Sequence, residues 1–142
     1  MSAERQLGVD LFNETWRLMR SREDDVRMVN CAHASAYHWS VAPECKPENL
    51  ARSEWLASRV YTVAGRREPA RTHAERCLEL CELHGLGDWD LAFAYEALAR
   101  SSRLAADADA TRKFLELARS VEIADDEDRE LLESDLATIE QD

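Results

Sequence analysis

The chain has 142 residues, 45% of them hydrophobic, which is enough to bury a core and excludes disorder along its whole length. Four Gly and three Pro exclude a collagen-like or proline-rich chain and argue against an all-β sandwich with many tight turns. A net charge of −11 argues against a nucleic-acid partner, because an acidic protein repels phosphates.

The sequence also carries signals of its cellular compartment. The N-terminal residues lack the basic, apolar and small segments of a signal peptide, and no apolar run reaches the roughly 18 residues of a membrane span. We therefore expect a cytoplasmic protein that has no membrane partner and keeps its four cysteines reduced. Arginine supplies every base except Lys46 and Lys113, which with abundant alanine is typical of a GC-rich bacterial genome.

Apolar residues recur at helical spacing along the chain, and every predicted element is a helix. In chain order the helices are expected at about residues 4–20, 22–39, 47–64, 68–83, 88–105, 108–123 and 126–140. Ser21 is the predicted cap of the second helix, and Pro47 suits the first turn of the third. Gly65 and Gly85 mark the ends of the third and fourth helices. The fold class is therefore predicted to be all-α.

A period of 41 residues relates the second pair of helices to the third. The offset links small or turn-forming residues, namely Ser58 to Ala99, Gly65 to Ala106, Ala70 to Thr111, Ala74 to Leu115 and Cys77 to Ala118. One step back from the middle unit reaches Arg17 and His33, so the first unit is the least regular. The repeat predicts three antiparallel helix hairpins at residues 4–40, 47–84 and 88–123, and a capping helix at 126–140. Together they are expected to form one domain over residues 1–142.

This pattern resembles the tetratricopeptide repeat in its longer form, as in kinesin light chains. The residues that carry the resemblance are Ser58, Tyr61, Gly65, Ala70, Ala74 and Cys77 in the middle unit, and Tyr95, Leu98, Ala99, Ala106, Leu115 and Ala118 in the third. The whole chain also resembles bacterial proteins with such repeats that have no assigned activity. The resemblance implies a right-handed superhelix in which the first helix of each hairpin lines a concave groove for peptides or partner segments.

The family register places a set of arginines and aromatic residues in that groove. The predicted binding residues are Phe12, Arg52, Trp55, Arg59, Phe93, Arg100 and Arg103. Guanidinium groups bind carboxylates through paired hydrogen bonds, and aromatic and arginine residues dominate many interfaces. We expect Trp55 to be exposed there, so that Trp55→Ala abolishes partner capture and leaves thermal stability nearly unchanged. The alternative is that the arginines pair with acids of the chain itself, such as Glu54, Asp88 and Glu96.

Histidine and cysteine residues suggest a second interpretation, a small-ligand or metal-binding protein. His73, Cys77, Cys81 and His84 lie on one helical stripe, but that stripe spans about 16 Å, too long for one tetrahedral site. Cys31, His33 and His38 lie near Tyr37 and Trp39 and could line a pocket. Packing of these groups is the simpler explanation. We therefore expect no metal and no cofactor.

No phosphate-binding loop, nucleophile elbow or metalloprotease pair is present in the sequence. We therefore expect a protein- or peptide-binding module and not an enzyme; a helical-bundle enzyme is the least supported alternative. Three hairpins form only a short groove, so a homodimer that completes it is plausible.

Overall fold

The computed structural model describes residues 1–140, and this part of the chain contains seven α-helices and no β-strand. The helices are α1 (Ala3–Ser21), α2 (Asp25–Val41), α3 (Pro47–Val63), α4 (Arg67–His84), α5 (Asp88–Leu104), α6 (Ala108–Ser120) and α7 (Asp126–Glu140). The predicted all-α class is confirmed. Residues 141 and 142, the end of the predicted domain, lie outside the described residues.

Short polar side chains fix the starts of three helices. Ser2, Asp24 and Asp107 are the N-caps of α1, α2 and α6, and each accepts a hydrogen bond from the backbone N–H three residues later. The prediction that Ser21 caps α2 is wrong. Ser21 is the last residue of α1, since Arg22 adopts a left-handed conformation (φ 55°) that ends the helix there.

The helix α6 ends three residues earlier than predicted. Arg129 of α7 donates hydrogen bonds to the backbone carbonyls of Arg119 and Val121. These bonds satisfy carbonyl groups that a longer helix would use internally, and Val121 is already extended. The segment between α6 and α7 is therefore fixed by contacts that are distant in sequence.

The helices pack as the three predicted hairpins, α1 with α2, α3 with α4, and α5 with α6. Helix α2 also contacts α3, and α4 contacts α5, so consecutive hairpins lie side by side. Helix α5 packs between α3 and α7, so these odd-numbered helices share one side of the molecule. The expectation that α7 caps α6 is only partly right, because α7 lies mainly against α5 and reaches α6 through side chains.

The turns of the second and third hairpins are conformationally equivalent. Gly65 and Ala106, which are 41 residues apart, both have positive φ, at 74° and 60°. In each turn this residue donates to the carbonyl three residues earlier, and the next N–H donates to the carbonyl five residues earlier. In the first hairpin the left-handed residue is Arg22, two positions before the Asp24 that the offset predicts. The repeat is thus confirmed for two turns and fails at the first.

Helices α1 and α2 approach each other closely at Gly8. A Cβ atom on Gly8 would lie 2.8 Å from Cδ1 of Trp39, and the Gly8 carbonyl accepts a 2.7 Å hydrogen bond from Ser35 Oγ. At the start of α1, Ser2 donates through its backbone N–H and its hydroxyl to the carboxylate of Glu44, in the loop before α3. These bonds, the hydroxyl bond first, lower the pKa of Glu44 to about 2.

The buried apolar side chains form four clusters distributed along the array of helices. Trp55 of α3 packs against all four clusters and so links the three hairpins. Leu132, Leu136 and Ile139 of α7 are buried in the cluster beneath α5 and α6. Within residues 1–140, none of the helices combines the length and the apolar character needed to cross a membrane.

Candidate functional site

Helices α1, α3 and α5 enclose a cavity of about 240 Å³, which we call the aromatic pocket. It is partly open to solvent, and its lining is mostly apolar. The lining residues are Phe12, Trp16, Ala51, Arg52, Trp55, Cys77, Trp89, Asp90 and Phe93. Four of the predicted groove residues, Phe12, Arg52, Trp55 and Phe93, therefore come together at this site.

The rings of the pocket form a continuous wall from α1 to α5. The centroids of Trp16 and Trp55 are 5.8 Å apart, and those of Trp55 and Phe93 are 5.9 Å apart with nearly perpendicular planes. Trp89 continues the wall, 4.3 Å from Phe93. Such edge-to-face and offset contacts are the favoured geometries of aromatic pairs. The pocket is thus held open by rings that support each other.

Trp55 is less exposed than the sequence analysis predicts. Its side chain is half-buried, and its Nε1–H donates a 2.8 Å hydrogen bond to Glu96 Oε1, so only part of the ring faces the pocket. Phe93 is also mainly a core residue, 8% exposed. We therefore replace the expectation that Trp55→Ala leaves thermal stability unchanged. Removing this ring should destabilise the fold by about 3–5 kcal/mol.

An ion pair forms the polar edge of the aromatic pocket. Arg52 Nε lies 2.8 Å from Asp90 Oδ1, and its Nη2 lies 3.2 Å from Oδ2, a paired contact between α3 and α5. The Arg52 side chain is 50% exposed, whereas that of Asp90 is only 12% exposed. The edge of the pocket therefore presents the guanidinium group to solvent, with the carboxylate beneath it.

A second cavity of about 170 Å³, which we call the polar pocket, lies beside the first. Its lining residues are Val9, Phe12, Asn13, Trp39, Asn49, Arg52 and Ser53. Phe12 and Arg52 line both cavities, so the two pockets are neighbours along one groove. Asn49 Oδ1 accepts a hydrogen bond from the Lys46 backbone N–H, which fixes the amide so that its NH₂ group can donate.

Arg59 lies behind the aromatic wall and not at its mouth. Its guanidinium carbon is 6.0 Å from the Trp16 ring centroid and 5.5 Å from that of Trp55. Its nitrogens lie 3.3 Å from the carboxylate of Glu96 and 3.7 Å from that of Asp135 in α7. The side chain is only 16% exposed. The expectation that Arg59 faces a partner in the groove is therefore wrong, because it pairs within the chain.

Arg100 and Arg103 bind helix α7. Arg100 Nε donates to Glu96 Oε2 at 2.7 Å, and its Nη2 donates to the carbonyl of Asp135 and the hydroxyl of Thr138. Arg103 donates to the backbone carbonyls of Thr138 and Ile139. These bonds satisfy carbonyls of the last turn of α7, as cations near a helix C-terminus do. Their assignment to the groove is corrected, since α7 covers this end.

The alternative that the arginines pair with acids of the chain therefore holds for Glu96, which binds Arg59 and Arg100. It does not hold for the other two acids that we considered. Glu54 pairs with His73, and Asp88 accepts hydrogen bonds from backbone N–H groups. The acid that pairs with Arg52 is Asp90.

The cysteines and histidines of α4 do not converge on one point. Cys77 and Cys81 are buried, whereas His84 is exposed and His73 pairs with Glu54, with Nδ1 and Oε2 2.6 Å apart. A hydrogen bond with Cys81, together with burial, raises the pKa of the Cys77 thiol well above its ordinary value. Cys77 therefore contributes a neutral thiol to the aromatic pocket.

A separate cluster joins α2, α3 and α4 through His33, Tyr61 and His73. His33 Nε2 lies 2.8 Å from the Tyr61 hydroxyl, and the Tyr61 and His73 rings are stacked at 5.6 Å. His38 pairs with Glu4 instead. Within residues 1–140, no three His, Cys, Asp or Glu side chains are arranged to hold a metal ion. These contacts hold helices together, which is the simpler explanation weighed above.

The sequence analysis missed Trp16, Trp89 and Asp90 as members of the site, and Asn13 and Asn49 beside it. A usable signal existed for both tryptophans. Trp16 is four residues after Phe12, and Trp89 is four residues before Phe93, so each pair shares a helix face. The acid and the amides carry no comparable signal, because such residues are common on solvent-facing helix surfaces.

No protein-family model matches the chain, and comparisons with curated proteins and with solved structures found no match.

Proposed function

We propose that this protein is a cytoplasmic protein- or peptide-binding module of the tetratricopeptide-like helical-repeat type, without catalytic activity of its own. Its binding site is the groove formed by the aromatic pocket and the polar pocket. The observation that carries the proposal is the wall of five aromatic rings around a partly open, largely apolar cavity. Aromatic side chains in such pockets supply most of the binding energy at many interfaces.

The dimensions of the aromatic pocket favour one anchoring side chain. Its volume of about 240 Å³ lies below the roughly 300–1,000 Å³ that is typical of sites for drug-sized ligands. A single apolar side chain fits such a space, and the adjoining polar pocket supplies amide and hydroxyl groups for the backbone on either side. We therefore favour a peptide over the small-ligand alternative. The metal-binding alternative has no support from the His and Cys geometry.

The proposal is tested by selecting binders from a library of random short peptides displayed on phage, with the purified protein as bait. Selected peptides should share an aromatic or large aliphatic residue. Their binding is then measured by calorimetry against the wild type, Trp89→Ala and Tyr37→Ala. Trp89 lines the pocket, whereas Tyr37 is a 62% exposed ring of α2 that does not line it and so serves as the matched control.

Trp89→Ala should weaken binding at least about tenfold, because it removes one wall of the pocket, while Tyr37→Ala binds as the wild type does. Far-UV circular dichroism confirms that both variants are folded. The proposal is refuted if no peptide is enriched, or if the selected peptides bind the two variants equally well.

A further inference from the structure

We propose that the aromatic pocket and Arg52 together recognise a peptide segment in which an aromatic residue stands directly beside an aspartate or glutamate. This inference rests on the proposed function and specifies the chemistry of the partner. The aromatic side chain enters the pocket, and the neighbouring carboxylate binds the guanidinium group of Arg52 at its edge.

The walls of the pocket favour a neutral ring over a cationic group. Aromatic faces do attract cations, and rings of this kind could form a cage for an ammonium group. Here, however, the guanidinium of Arg59 already lies within 6.0 Å of the Trp16 and Trp55 centroids. An ammonium ligand would lie close to that positive charge. The neutral thiol of Cys77 adds another uncharged surface.

The guanidinium of Arg52 retains donors for a second carboxylate. Asp90 occupies Nε and one side of Nη2. A guanidinium has five N–H donors, and the edge formed by Nη1 and Nη2 can hold a carboxylate end-on while the Nε edge holds another. Because Arg52 is 50% exposed and Asp90 is 12% exposed, this free edge lies at the surface. Asp90 thereby positions the guanidinium for an acidic partner.

The polar pocket favours a peptide as the source of this carboxylate. Arg52 and Phe12 line both pockets, so a ligand that fills the first and contacts Arg52 continues over the second. There Asn13, Asn49 and Ser53 offer amide and hydroxyl groups, which suit the N–H and C=O groups of an extended backbone. A free arylalkanoic acid would fill the first pocket and leave these groups without a partner.

The net charge of −11 does not oppose this local preference at physiological salt. Exposed charges farther apart than about 8 Å are largely screened at 0.15 M ionic strength. A carboxylate bound to Arg52 therefore interacts mainly with the guanidinium and its immediate neighbours. Because this pair is itself exposed, the preference for an acidic residue should decrease as salt is added.

The test uses three peptides that differ in one residue, acetyl-Ser-Gly-Phe-X-Gly-Ser-amide with X as Asp, Asn or Lys. Two further ligands are the Asp peptide with its Phe replaced by Ala, and free 3-phenylpropionate. Binding is followed by tryptophan fluorescence, because three of the four Trp residues line the pocket. The proteins are the wild type, Arg52→Gln and Arg71→Gln. Arg71 is a 45% exposed arginine of α4 that pairs with Glu75, so it is the matched control.

The Asp peptide should bind the wild type and Arg71→Gln about 3–10-fold more tightly than the Asn peptide, and the Lys peptide should bind most weakly. Arg52→Gln should remove the difference between Asp and Asn, and replacing Phe by Ala should abolish binding. Equal affinity for Asp and Asn, or tightest binding of Lys, overturns this inference and leaves the proposed function standing. Binding of 3-phenylpropionate as tightly as the Asp peptide overturns the choice of a peptide. If none of the Phe peptides binds, this inference and the proposed function both fall.

Discussion

Replacing Glu96 by alanine should remove a large part of the stability of this fold. The Glu96 carboxylate is fully buried and accepts hydrogen bonds from Trp55 Nε1 at 2.8 Å, Arg59 Nη1 at 3.3 Å and Arg100 Nε at 2.7 Å. These donors belong to α3 and α5, and Arg100 also binds α7. The carboxylate therefore links three helices at one point.

The magnitude follows from what Glu96→Ala leaves behind. Arg59 and Arg100 are 16% and 15% exposed, so each would keep a mostly buried charge without its main partner. Removing one member of a buried ion pair costs about 3–5 kcal/mol. Asp135 remains 3.7 Å from Arg59 and still balances part of its charge. We therefore expect a loss of about 3 kcal/mol, toward the lower end of that range.

The assay is urea unfolding at neutral pH, followed by far-UV circular dichroism. Glu96→Gln retains an oxygen that can accept from Trp55 and loses the charge, so it should lie between the wild type and Glu96→Ala. The matched control is Glu75→Ala, which breaks a salt bridge between exposed residues four positions apart on α4 and should cost less than about 1 kcal/mol. If Glu96→Ala costs no more than Glu75→Ala, the role of this carboxylate as a structural link is refuted.

Three further predictions concern the backbone and the start of α1. Gly8→Ala should lose about 1–3 kcal/mol in urea unfolding, because its Cβ would lie 2.8 Å from the Trp39 ring; unchanged stability would show that the helices can separate there. Ala106→Gly should gain about 0.5–1 kcal/mol and Gly65→Ala should lose a similar amount in thermal unfolding, since both positions have positive φ; effects of the same sign would contradict the equivalence of the two turns. The Glu44 carboxyl should titrate at about pH 2 by carbon NMR, and because its folded pKa lies below the ordinary 4.5, its contribution to stability is present above pH 4.5 and disappears as the pH falls through 2; titration near 4.5 would exclude the bonds from the start of α1.

The helices could be predicted because their signals are local. Apolar spacing, the prolines near residue 47 and the glycines at 65 and 85 all act within a few residues of the structure they specify. Ala106 is an instructive case, since alanine itself gives no sign of a left-handed conformation. Only its position 41 residues after Gly65 indicated a turn there, and the structure gives the two residues the same backbone conformation. The first hairpin lacks this support, and its turn lies at Arg22 instead.

The aromatic pocket could be predicted in part, because Phe12, Arg52, Trp55 and Phe93 follow from the register of the first helix of each hairpin. That register says which helix faces the groove, but not how deeply a given ring is buried. Burial depends on neighbouring helices, as the contacts of Trp55 with all four core clusters show. The predicted site therefore included the right residues with too much exposure.

The error at Arg59, Arg100 and Arg103 has one physical origin, the position of α7. A capping helix was predicted, but its apolar face does not indicate that it would lie mainly against α5. Once there, its backbone carbonyls and Asp135 bind these arginines. Arg52 lies at the other end of the array, on the aromatic pocket, where α7 does not contribute to the lining. Helix α7 thus shortens the predicted groove from one end, and it leaves Arg52 as the guanidinium that lines both remaining pockets.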